Sequence, residues 1–492
     1  MEQKDLKNIK LTVSQQKVLD NILNFVEKSE DRVFILKGYA GTGKTTLMRF
    51  LIAELEARFL SYKLLASTGR AAKILSDMSE KDTSTIHSMV YTFKGFNKEF
   101  GDKEEVVVDS TGQLFLMFEG GKVEQDEEAS TVYIIDEASM VSDKESKDIT
   151  QAKFGSGRLL KELLDYDQRK DTKFIFVGDP CQLPPIDEYY SPALMENYFE
   201  DILGVKAQEG VLTEIMRQEG GNDLISASKV VRKLYNSAPA DSKVYGKQNL
   251  WAKLPFNNYR NIIMHPSVEN MVDEYVEKIN KNGLNSAVFI CRSNRDCYKL
   301  SAQIRQKLGF TPNVVCKGDL LMVIQNNMAT GLMNGDLVKV TNISDKVIIR
   351  ADLKFRQVTV KELFTGVEYT SLMIEDVLHL LRLNLDNHQQ QSLFVDFIMR
   401  MKKRGITAKT DKYLFYECMR NDPYLNALRC SFGYAITCHK SQGGEWKDVY
   451  VHVPRNIMLN PTKGTYQWIY TAMTRAVDKL HMVYDFYIGL RK

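Results

Sequence analysis

The sequence predicts an α/β fold in which parallel strands are flanked by helices, arranged in two units. The first observation is an apolar run at residues 33–36 that leads through a glycine-rich loop into a helical segment at residues 45–60. The second is the return of short apolar runs that end in polar side chains, at residues 62–66, 132–135 and 173–177. The third is another α/β pattern that begins at residues 287–291. Loops at the carboxyl ends of parallel strands carry the sites of such folds, so we expect the functional residues there.

Length and composition limit the class of protein. At 492 residues the chain is long enough for more than one domain, each with its own core. The formal net charge is only +3, so any surface for nucleic acid must be local. The seven cysteines include no C-x-x-C pair, which argues against a zinc ribbon and a disulfide framework. Residues 1–5 lack an apolar signal region and no run reaches membrane-spanning length, so we expect a cytoplasmic protein without a membrane partner.

The first glycine-rich loop reads G-Y-A-G-T-G-K-T-T over residues 38–46 and contains the pattern G-x-x-x-x-G-K-T. Its glycines let several backbone N–H groups point at phosphate, with a helix N-terminus behind them. Lys44 would lie by the β- and γ-phosphates, and the Thr45 hydroxyl would ligate Mg²⁺. A glycine-rich turn with an accidental lysine is the alternative, but the strand before and the helix after favour a phosphate loop. The predicted nucleotide contacts are Gly38, Ala40, Gly41, Thr42, Gly43, Lys44, Thr45 and Thr46.

Two carboxylates follow the apolar run at residues 132–135. Asp136 would bind Mg²⁺ through water, and Glu137 would orient or deprotonate the attacking water. Alone this pair is a weak signal, and together with the phosphate loop it is a strong one. The next strand ends in G-D-P-C-Q-L-P-P at residues 178–185, where the amide of Gln182 could sense the γ-phosphate and relay its state to a bound strand.

Three further residues are candidates for the nucleotide site. Arg217 and Arg475 are candidate arginine fingers, supplied by a second domain across a cleft to stabilise charge on the γ-phosphate. Gln15 lies just ahead of the phosphate loop, where an amide can read the adenine edge with its paired donor and acceptor. An ordinary surface glutamine is the alternative. Thr12 or Ser14 is expected to cap the helix that begins here.

Hydroxyl, amide and basic residues cluster in loops that follow predicted strands. Such groups can hold a phosphodiester backbone without reading its sequence. The early loops have a second interpretation, namely ordinary helix caps beside a solvated arginine, and His439 alone would be an ordinary loop histidine. The residues predicted to contact a nucleic-acid strand are Thr68, an exposed Arg70, Thr85, His87, Asn294, Thr437, His439, Lys440, Ser441 and Gln442.

Two segments interrupt the α/β pattern. Residues 89–130 hold strand-like runs around a turn at residues 109–112, which predicts a small hairpin. Its tip could split base pairs and its aromatic side chains could stack on bases, or they pack the hairpin's own core. Residues 340–370 alternate like a small β-barrel, and residues 371–428 are helical and charged. The basic cluster at residues 400–404 is typical of a solvated face.

In this order, the motifs resemble the superfamily 1 helicases of the RecD and Dda type, over residues 11–484. The resemblance rests on Gln15, the phosphate loop, S-T-G-R-A-A, T-I-H-S, D-E-A-S-M, G-D-P-C-Q-L-P-P, the Arg217 segment, T-C-H-K-S-Q-G and T-A-M-T-R-A. It implies two RecA-like P-loop NTPase domains with ATP between them and single-stranded DNA across their tops. It also implies a pin hairpin in the first domain and an SH3-like β-barrel with helices in the second. Gly444 and Glu445 join the nucleotide site on the same basis.

The resemblance also divides the chain and implies an activity. The expected parts are a first RecA-like domain at 1–88 and 131–212, a pin at 89–130, a second RecA-like domain at 213–339 and 429–492, and a barrel and helical insertion at 340–428. The implied activity is that of an ATP- and Mg²⁺-dependent DNA helicase, a monomer that moves 5′→3′ on single-stranded DNA and unwinds junctions, with replication or recombination proteins as partners. An RNA helicase or remodeller and an ATP-gated single-strand binding module stay open, because the sequence does not reveal whether a 2′-OH is read.

Overall fold

The computed structural model describes residues 9–96, 116–123, 131–145, 152–214, 222–327, 329–381 and 384–490. Within these ranges the main elements are two parallel sheets with flanking helices and one antiparallel sheet of five strands. The predicted α/β fold is confirmed. In the part of the chain that is described, no helix is both long and apolar enough to cross a membrane.

The strands in chain order are β1 (Val33–Gly38), β2 (Ser61–Ala66), β3 (Thr83–Thr85), β4 (Tyr91–Phe96), β5 (Leu116–Gly120), β6 (Thr131–Asp136), β7 (Ala152–Phe154), β8 (Lys173–Gly178), β9 (Ala207–Leu212), β10 (Leu254–Asn257), β11 (Ile262–His265), β12 (Ala287–Cys291), β13 (Leu320–Val323), β14 (Leu337–Arg350), β15 (Leu353–Glu362), β16 (Glu368–Ile374), β17 (Cys430–Phe432), β18 (Ala435–Thr437), β19 (Trp446–Val451), β20 (Ala476–Val483) and β21 (Ile488–Leu490). The helices are α1 (Val13–Lys28), α2 (Lys44–Ala57), α3 (Gly69–Ser79), α4 (Ile86–Val90), α5 (Leu159–Tyr166), α6 (Glu196–Asp201), α7 (Leu224–Ser237), α8 (Val268–Asn282), α9 (Asn294–Lys307), α10 (Asn387–Lys403), α11 (Lys412–Arg420), α12 (Cys438–Ser441) and α13 (Lys463–Met473).

The first parallel sheet has six strands in the order β3-β2-β6-β8-β1-β9. Its central strands are buried on both faces, and residues 33–36 are almost fully inaccessible. Parallel strands covered by helices read as continuous apolar runs, which is why these strands were predictable.

Helix α1 begins with a capping box, in which Thr12 Oγ1 accepts from the Gln15 N–H and Gln15 Oε1 accepts from the Thr12 N–H. Of the two predicted caps, Thr12 is confirmed.

A separate three-stranded sheet follows α4. Strands β4 and β5 pair antiparallel, and β7 joins β5 in parallel. The predicted turn at residues 109–112 and most of the predicted hairpin lie outside the described residues. The pin therefore stays a prediction.

The second parallel sheet has five strands in the order β11-β20-β19-β12-β18. Strands β10 and β21 form a small parallel pair beside it. Helices α8 and α9 pack on the sheet, and α7 packs against α13. β12 and β18 are neighbours, although the third sheet lies between them in the chain.

The third sheet is antiparallel, with five strands in the order β16-β15-β14-β13-β17. A bridge between Met373 on β16 and Leu428, two residues before β17, brings the two edges of this sheet close together. The third sheet extends beyond the insertion boundaries expected at 340 and 428, because β13 begins at Leu320 and β17 reaches Phe432, and the division into domains stays a prediction. Both strands are buried along their whole length and so lack the alternation by which the sequence revealed β14 to β16. The SH3-like character of the sheet stays a prediction.

The helices α10 and α11 follow β16 and pack on each other through Phe394, Phe397, Met401 and Phe415. The basic cluster at the end of α10 is partly structural. Arg400 donates from Nε to Asp396 at 2.8 Å and from Nη2 to Asp422 at 3.0 Å.

A buried ion pair fixes the third sheet to helix α9. Arg305 on that helix donates from Nε and Nη2 to the two carboxylate oxygens of Asp319, each at 2.8 Å. Asp319, directly before β13, is fully buried and also accepts from the Tyr434 hydroxyl at 3.1 Å and the Cys316 N–H at 2.8 Å. Each of its two carboxylate oxygens thus accepts two hydrogen bonds from protein groups.

We expect Asp319→Ala to lower the unfolding free energy of this unit by about 3–5 kcal/mol, because the Arg305 guanidinium is left buried without its partner. Urea unfolding followed by circular dichroism measures the loss. Asp273→Ala breaks the more exposed pair with Lys307 and is the matched control, with a transition close to that of the wild type. Equal losses in the two variants would contradict the role given to the buried pair.

Candidate active site

The phosphate loop occupies residues 39–43, between β1 and α2. Gly41 and Gly43 both have φ of 80°, in the left-handed region that favours glycine. A Cβ on Gly38 would lie 2.7 Å from Lys44 Cγ and 2.8 Å from Thr42 Oγ1. The loop therefore curls more tightly than side chains at these positions would allow, which is the geometry that aims backbone N–H groups at an anion.

Lys44 is the first residue of α2 and closes this loop. Its Nζ donates to the Gly38 carbonyl at 2.7 Å, while the Thr42 hydroxyl donates to the Tyr39 carbonyl at 2.8 Å. Thr45 and Thr46 follow in the first turn of the helix. The strand, loop and helix that the motif requires are thus all present.

Asp136 and Glu137 stand at the end of β6, beside the ends of β8 and β2. Burial, and then the neighbouring Glu137 carboxylate, raises the pKa of Asp136 to about 7, while the Glu137 N–H and Lys44 act in the opposite direction. Asp136 Oδ1 accepts from the Glu137 N–H at 2.8 Å. Glu137 has φ of 50°, a left-handed conformation that glutamate rarely adopts and that occurs mostly at functional sites.

These residues fit Mg²⁺. The Thr45 hydroxyl and the Asp136 carboxylate are hard oxygen donors, the kind that this ion prefers. The raised pKa of Asp136 shows that its negative charge is only partly compensated by Lys44 in the protein alone. A divalent cation would complete that compensation.

Gln15 is buried and its amide is already engaged. Nε2 donates to the Thr42 carbonyl at 3.1 Å, and Oε1 accepts from Thr12 as part of the capping box. Gln15 is therefore not a surface glutamine, since it ties α1 to the phosphate loop. Its contact with adenine stays a prediction.

We call the part of the chain built around the first parallel sheet the first domain, and the part built around the second parallel sheet the second domain. Helix α13 of the second domain reaches the phosphate loop through Tyr470. The Tyr470 hydroxyl accepts from the Ala40 N–H at 2.9 Å and donates to Asp179 Oδ2 at 2.8 Å. Asp179 directly follows β8, is fully buried, and accepts at Oδ1 from the Cys181 N–H at 2.9 Å. Burial and then Asp179 hold the pKa of Tyr470 well above its usual value, so the hydroxyl keeps the proton that it donates. One side chain thus joins the ends of two strands of the first domain.

Three more hydrogen bonds hold the loop at residues 182–183 to the second domain. The Leu183 N–H donates to Thr471 Oγ1 at 2.8 Å, and the Leu183 carbonyl accepts from Gln442 Nε2 at 3.2 Å. The Gln182 carbonyl accepts from Gln467 Nε2 at 3.1 Å. The Oε1 atoms of Gln182 and Gln442 are both buried and have no hydrogen-bond partner among the residues that the structure describes. The predicted sensor Gln182 therefore lies in the domain interface, with an acceptor still available.

Arg475 lies just past the end of α13 and is buried in the same interface. It donates from Nε to the Thr471 carbonyl at 3.2 Å and from Nη1 to the Gly444 carbonyl at 3.3 Å. Its charge acts on Asp179, whose pKa is raised chiefly by burial and lowered by Lys44, Cys181, Tyr470 and Arg475. Arg217, the other candidate finger, lies outside the described residues.

Arg70 is not the exposed arginine that the sequence predicts. Its guanidinium lies 4.4 Å from the ring centroid of Trp446 in the second domain, and burial lowers its pKa to about 10. A Cβ on Gly444 would approach Arg70 Cζ to 2.8 Å, so a larger residue at this position would clash with the arginine. Glu445 is exposed and lines the same cleft between the domains, beside Arg70 and Trp446. The nucleotide contacts predicted for Gly444 and Glu445 stay predictions.

Two of the residues predicted to contact a nucleic-acid strand cap helices. Thr68 Oγ1 accepts from the Ala71 N–H at 3.2 Å, and Thr85 Oγ1 accepts from the Ser88 N–H at 3.1 Å. These bonds match the alternative interpretation of the two loops, and a hydroxyl that caps a helix can still donate its own proton. His87 packs edge-on against Phe154, with ring centroids 5.3 Å apart.

The loop after β18 divides into buried and accessible residues. Ser441 is fully inaccessible and donates to the Cys438 carbonyl at 2.7 Å, and its contact with a nucleic-acid strand stays a prediction. Gln442 is also buried, against Leu183. Both residues pack inward because α12 is a short helix wedged against α13.

Four other predicted contacts are better placed to reach a nucleic-acid strand. Thr437 and Asn294 line one small cavity. His439 and Lys440 are only partly buried, and burial lowers the pKa of Lys440 to about 8. All four stay predicted strand contacts.

The sequence did not reveal the interface residues Gln467, Tyr470 and Thr471. Their spacing of three and four residues places them on one helical face, but this face contacts backbone groups of another domain, which leave no trace in the sequence. Arg232 on α7 is a further example, with its guanidinium 3.8 Å from the ring centroid of Tyr39 in the phosphate loop.

We expect Tyr470→Phe to lower the catalytic rate of nucleotide hydrolysis about fivefold or more while the first domain keeps its nucleotide affinity. The change removes the partner of the part-buried Ala40 N–H and of the buried Asp179 Oδ2, at a cost of about 1–3 kcal/mol for each such group. Steady-state hydrolysis and nucleotide titration separate the two effects. Tyr466→Phe, at another buried position of α13 that makes neither bond, is the matched control. Wild-type hydrolysis by Tyr470→Phe would contradict the bridging role.

Two family models match the chain. A model described as an AAA domain matches residues 10–242, and a model described as a UvrD-like helicase C-terminal domain matches residues 432–483. The first covers the phosphate loop, Asp136, Glu137 and Gln182, and the second covers α13 and Arg475. Both halves of the site therefore fall within matched segments.

Individual proteins are similar to the chain as well. An uncharacterized protein of Acanthamoeba polyphaga mimivirus is 24% identical over 530 residues, which cover 95% of this chain and 98% of that protein. The ATP-dependent DNA helicase Dda of Enterobacteria phage T4 is 40% identical over 81 residues, 16% of this chain and 18% of that helicase. The crystal structure of a Bacteroides Pif1 helicase in complex with ADP-AlF3 and ssDNA aligns with a TM-score of 0.48 at 17% identity, covering 96% of this chain and 92% of that one. With the matched models and the site geometry, the chain is similar in both halves of the site to the superfamily 1 helicases of the RecD and Dda type, and it is an ATP-hydrolysing enzyme.

Proposed function

We propose that the enzyme is a DNA helicase that moves 5′→3′ on single-stranded DNA and separates duplex DNA, using ATP hydrolysed between two RecA-like domains. The observation that carries the proposal is the placement of helix α13. Its Tyr470 hydroxyl bonds the phosphate loop, and Arg475 follows the same helix into the interface. The phosphate-binding half of the site and its basic half therefore belong to different domains, as a motor requires.

In this mechanism Lys44 and the backbone N–H groups of the loop hold the β- and γ-phosphates. Thr45 and Asp136 would hold Mg²⁺, which neutralises phosphate charge when it is bound. Glu137, turned out of the strand direction by its left-handed backbone, accepts a proton from the attacking water. Arg475 stabilises the charge that develops on the transferred phosphoryl group, and Gln182 reports the loss of that group to the strand-binding loops.

The proposed track for the strand is the edge that carries Thr85, His87, Asn294, Thr437, His439 and Lys440. Domain closure and opening would alternate the hold of the two domains on the phosphodiester backbone. Contacts of this kind do not depend on base sequence, which suits a motor that must pass any sequence. DNA as the substrate is supported by the activity named for the phage relative, and the polarity by the family. We further propose that the enzyme acts as a monomer alongside replication or recombination proteins.

Lys44→Ala should reduce ATP hydrolysis about 100-fold or more, because the positive charge next to the reacting phosphate is lost. Salt-sensitive binding of single-stranded DNA should persist, since Lys44 lies in the nucleotide loop. Phosphate release and fluorescence anisotropy measure the two properties. Lys63→Ala, on the exposed side of β2, is the control. The assignment fails if Lys44→Ala hydrolyses ATP in proportion to added DNA.

Two matched DNA duplexes, one with a 5′ and one with a 3′ single-stranded tail, test the function directly. With Mg-ATP we expect strand separation of the 5′-tailed duplex alone, and none with Lys44→Ala. Preference for the 3′ tail would overturn the polarity and keep the helicase. A duplex with an RNA tail that is unwound better than its DNA counterpart would favour an RNA helicase. Hydrolysis stimulated by DNA without any strand separation would favour an ATP-gated binding module.

A further inference from the structure

Two histidines and a glutamate meet inside the second domain, away from the residues of the nucleotide site. His265 ends β11, His481 lies on the neighbouring strand β20, and Glu274 comes from α8 above them. His481 is fully buried and His265 nearly so, whereas the Glu274 side chain is 43% exposed. The cluster is therefore closed on the sheet side and open to solvent at the glutamate.

The ligand atoms of these side chains have the spacing of a metal site. His265 Nε2 lies 3.1 Å from His481 Nδ1, and Glu274 places Oε1 3.4 Å from His481 Nδ1 and Oε2 3.7 Å from His265 Nε2. Around a tetrahedral zinc ion, bonds of about 2.0–2.1 Å separate neighbouring ligand atoms by about 3.4 Å. The three side chains thus outline one face of such a tetrahedron.

The surroundings of His481 select the protonation state that a metal needs. Its Nε2 lies 3.2 Å from Asp448 Oδ1, and Lys278 Nζ donates to the same oxygen at 3.0 Å. Asp448 therefore holds the proton of His481 on Nε2, so that Nδ1 turns a lone pair toward His265 and Glu274. A carboxylate that orients a ligating histidine in this way is the usual outer partner in zinc sites. The Tyr450 ring, stacked 4.1 Å from the His481 ring, fixes its plane.

A single hydrogen bond does not engage the whole cluster. One proton shared between His265 Nε2 and His481 Nδ1, 3.1 Å apart, leaves the Glu274 oxygens 3.4 Å and 3.7 Å from these nitrogens, farther than in an ordinary hydrogen bond. A cation between the three side chains would engage all of them at once.

We propose that His265, Glu274 and His481 form a binding site for a divalent transition metal of the zinc class, with water as the fourth ligand on the open side. Imidazole nitrogens and one carboxylate are ligands that suit zinc and disfavour magnesium or calcium. The site joins α8 to β11, which within the described residues is an edge strand paired with β20. Its role is structural, because it ties together three elements of the second domain and includes no residue of the nucleotide site.

The full chain, stripped with a chelator and dialysed against buffered Zn²⁺, tests the proposal. We expect one bound zinc per chain by elemental analysis and a rise in the melting midpoint on adding zinc. Glu274→Gln, a change at a half-exposed position, should weaken zinc affinity about tenfold or more, and His265→Gln should do the same. His452→Gln, which alters a partly buried histidine of the same domain outside the cluster, is the matched control and should bind as the wild type does.

Cobalt(II) distinguishes this site from one built on cysteines. Cys291 and Cys297 lie within hydrogen-bonding reach of each other in the same domain, and thiolate ligands would add an intense sulfur-to-metal absorption band. We expect a tetrahedral cobalt spectrum without that band. The proposal is overturned if the folded wild type retains no zinc, if Glu274→Gln and His265→Gln bind zinc as tightly as the wild type, or if the cobalt spectrum shows thiolate ligation.

Discussion

The docking of helix α13 onto the strand-end loops of the first domain is the interaction on which the rest of the site depends. Gln467, Tyr470 and Thr471 each bond a backbone group or a carboxylate of the first domain. Because these groups are buried, a partly opened interface would leave donors and acceptors without water or partner. Docking is therefore close to all-or-none. Arg475 follows the same helix, so its approach to the phosphate loop cannot vary independently of the arrangement of the domains.

Electrostatics adds a second constraint at the same place. Asp136 and Asp179 end neighbouring strands, and burial raises the pKa of both carboxyl groups. Lys44 opposes the shift in each case, so one ammonium serves two acids. A triphosphate brings further negative charge to this region. A divalent cation that binds with the nucleotide would offset part of this negative charge.

The sequence predicted what depends on local pattern. The phosphate loop, the acids after β6 and the buried parallel strands each have a continuous signature of apolar residues, glycine or charge. It did not reveal exposure that is decided by tertiary packing. Arg70 looks solvated until Trp446 covers it, and Ser441 looks accessible until α12 packs against α13. It also did not assign β13 and β17 to the third sheet, because strands that are buried throughout have no alternation to mark the sheet they join. The bonds of Tyr470 were beyond prediction because they end on backbone and on a carboxylate far away in the chain.

The order of strands in the second parallel sheet bears on how the chain is synthesised. The first sheet is complete once Leu212 has left the ribosome, since all of its strands lie between Val33 and that residue. By contrast, β11 pairs with β20 alone in the described part of the chain, and β12 meets β18 only after the third sheet has been made. A nascent chain would therefore contain a folded nucleotide-binding half at a stage when the apolar strands of the other half have not yet paired. Ribosome stalling late in the message would expose those strand edges, and such intermediates are the species that chaperones capture and that aggregate.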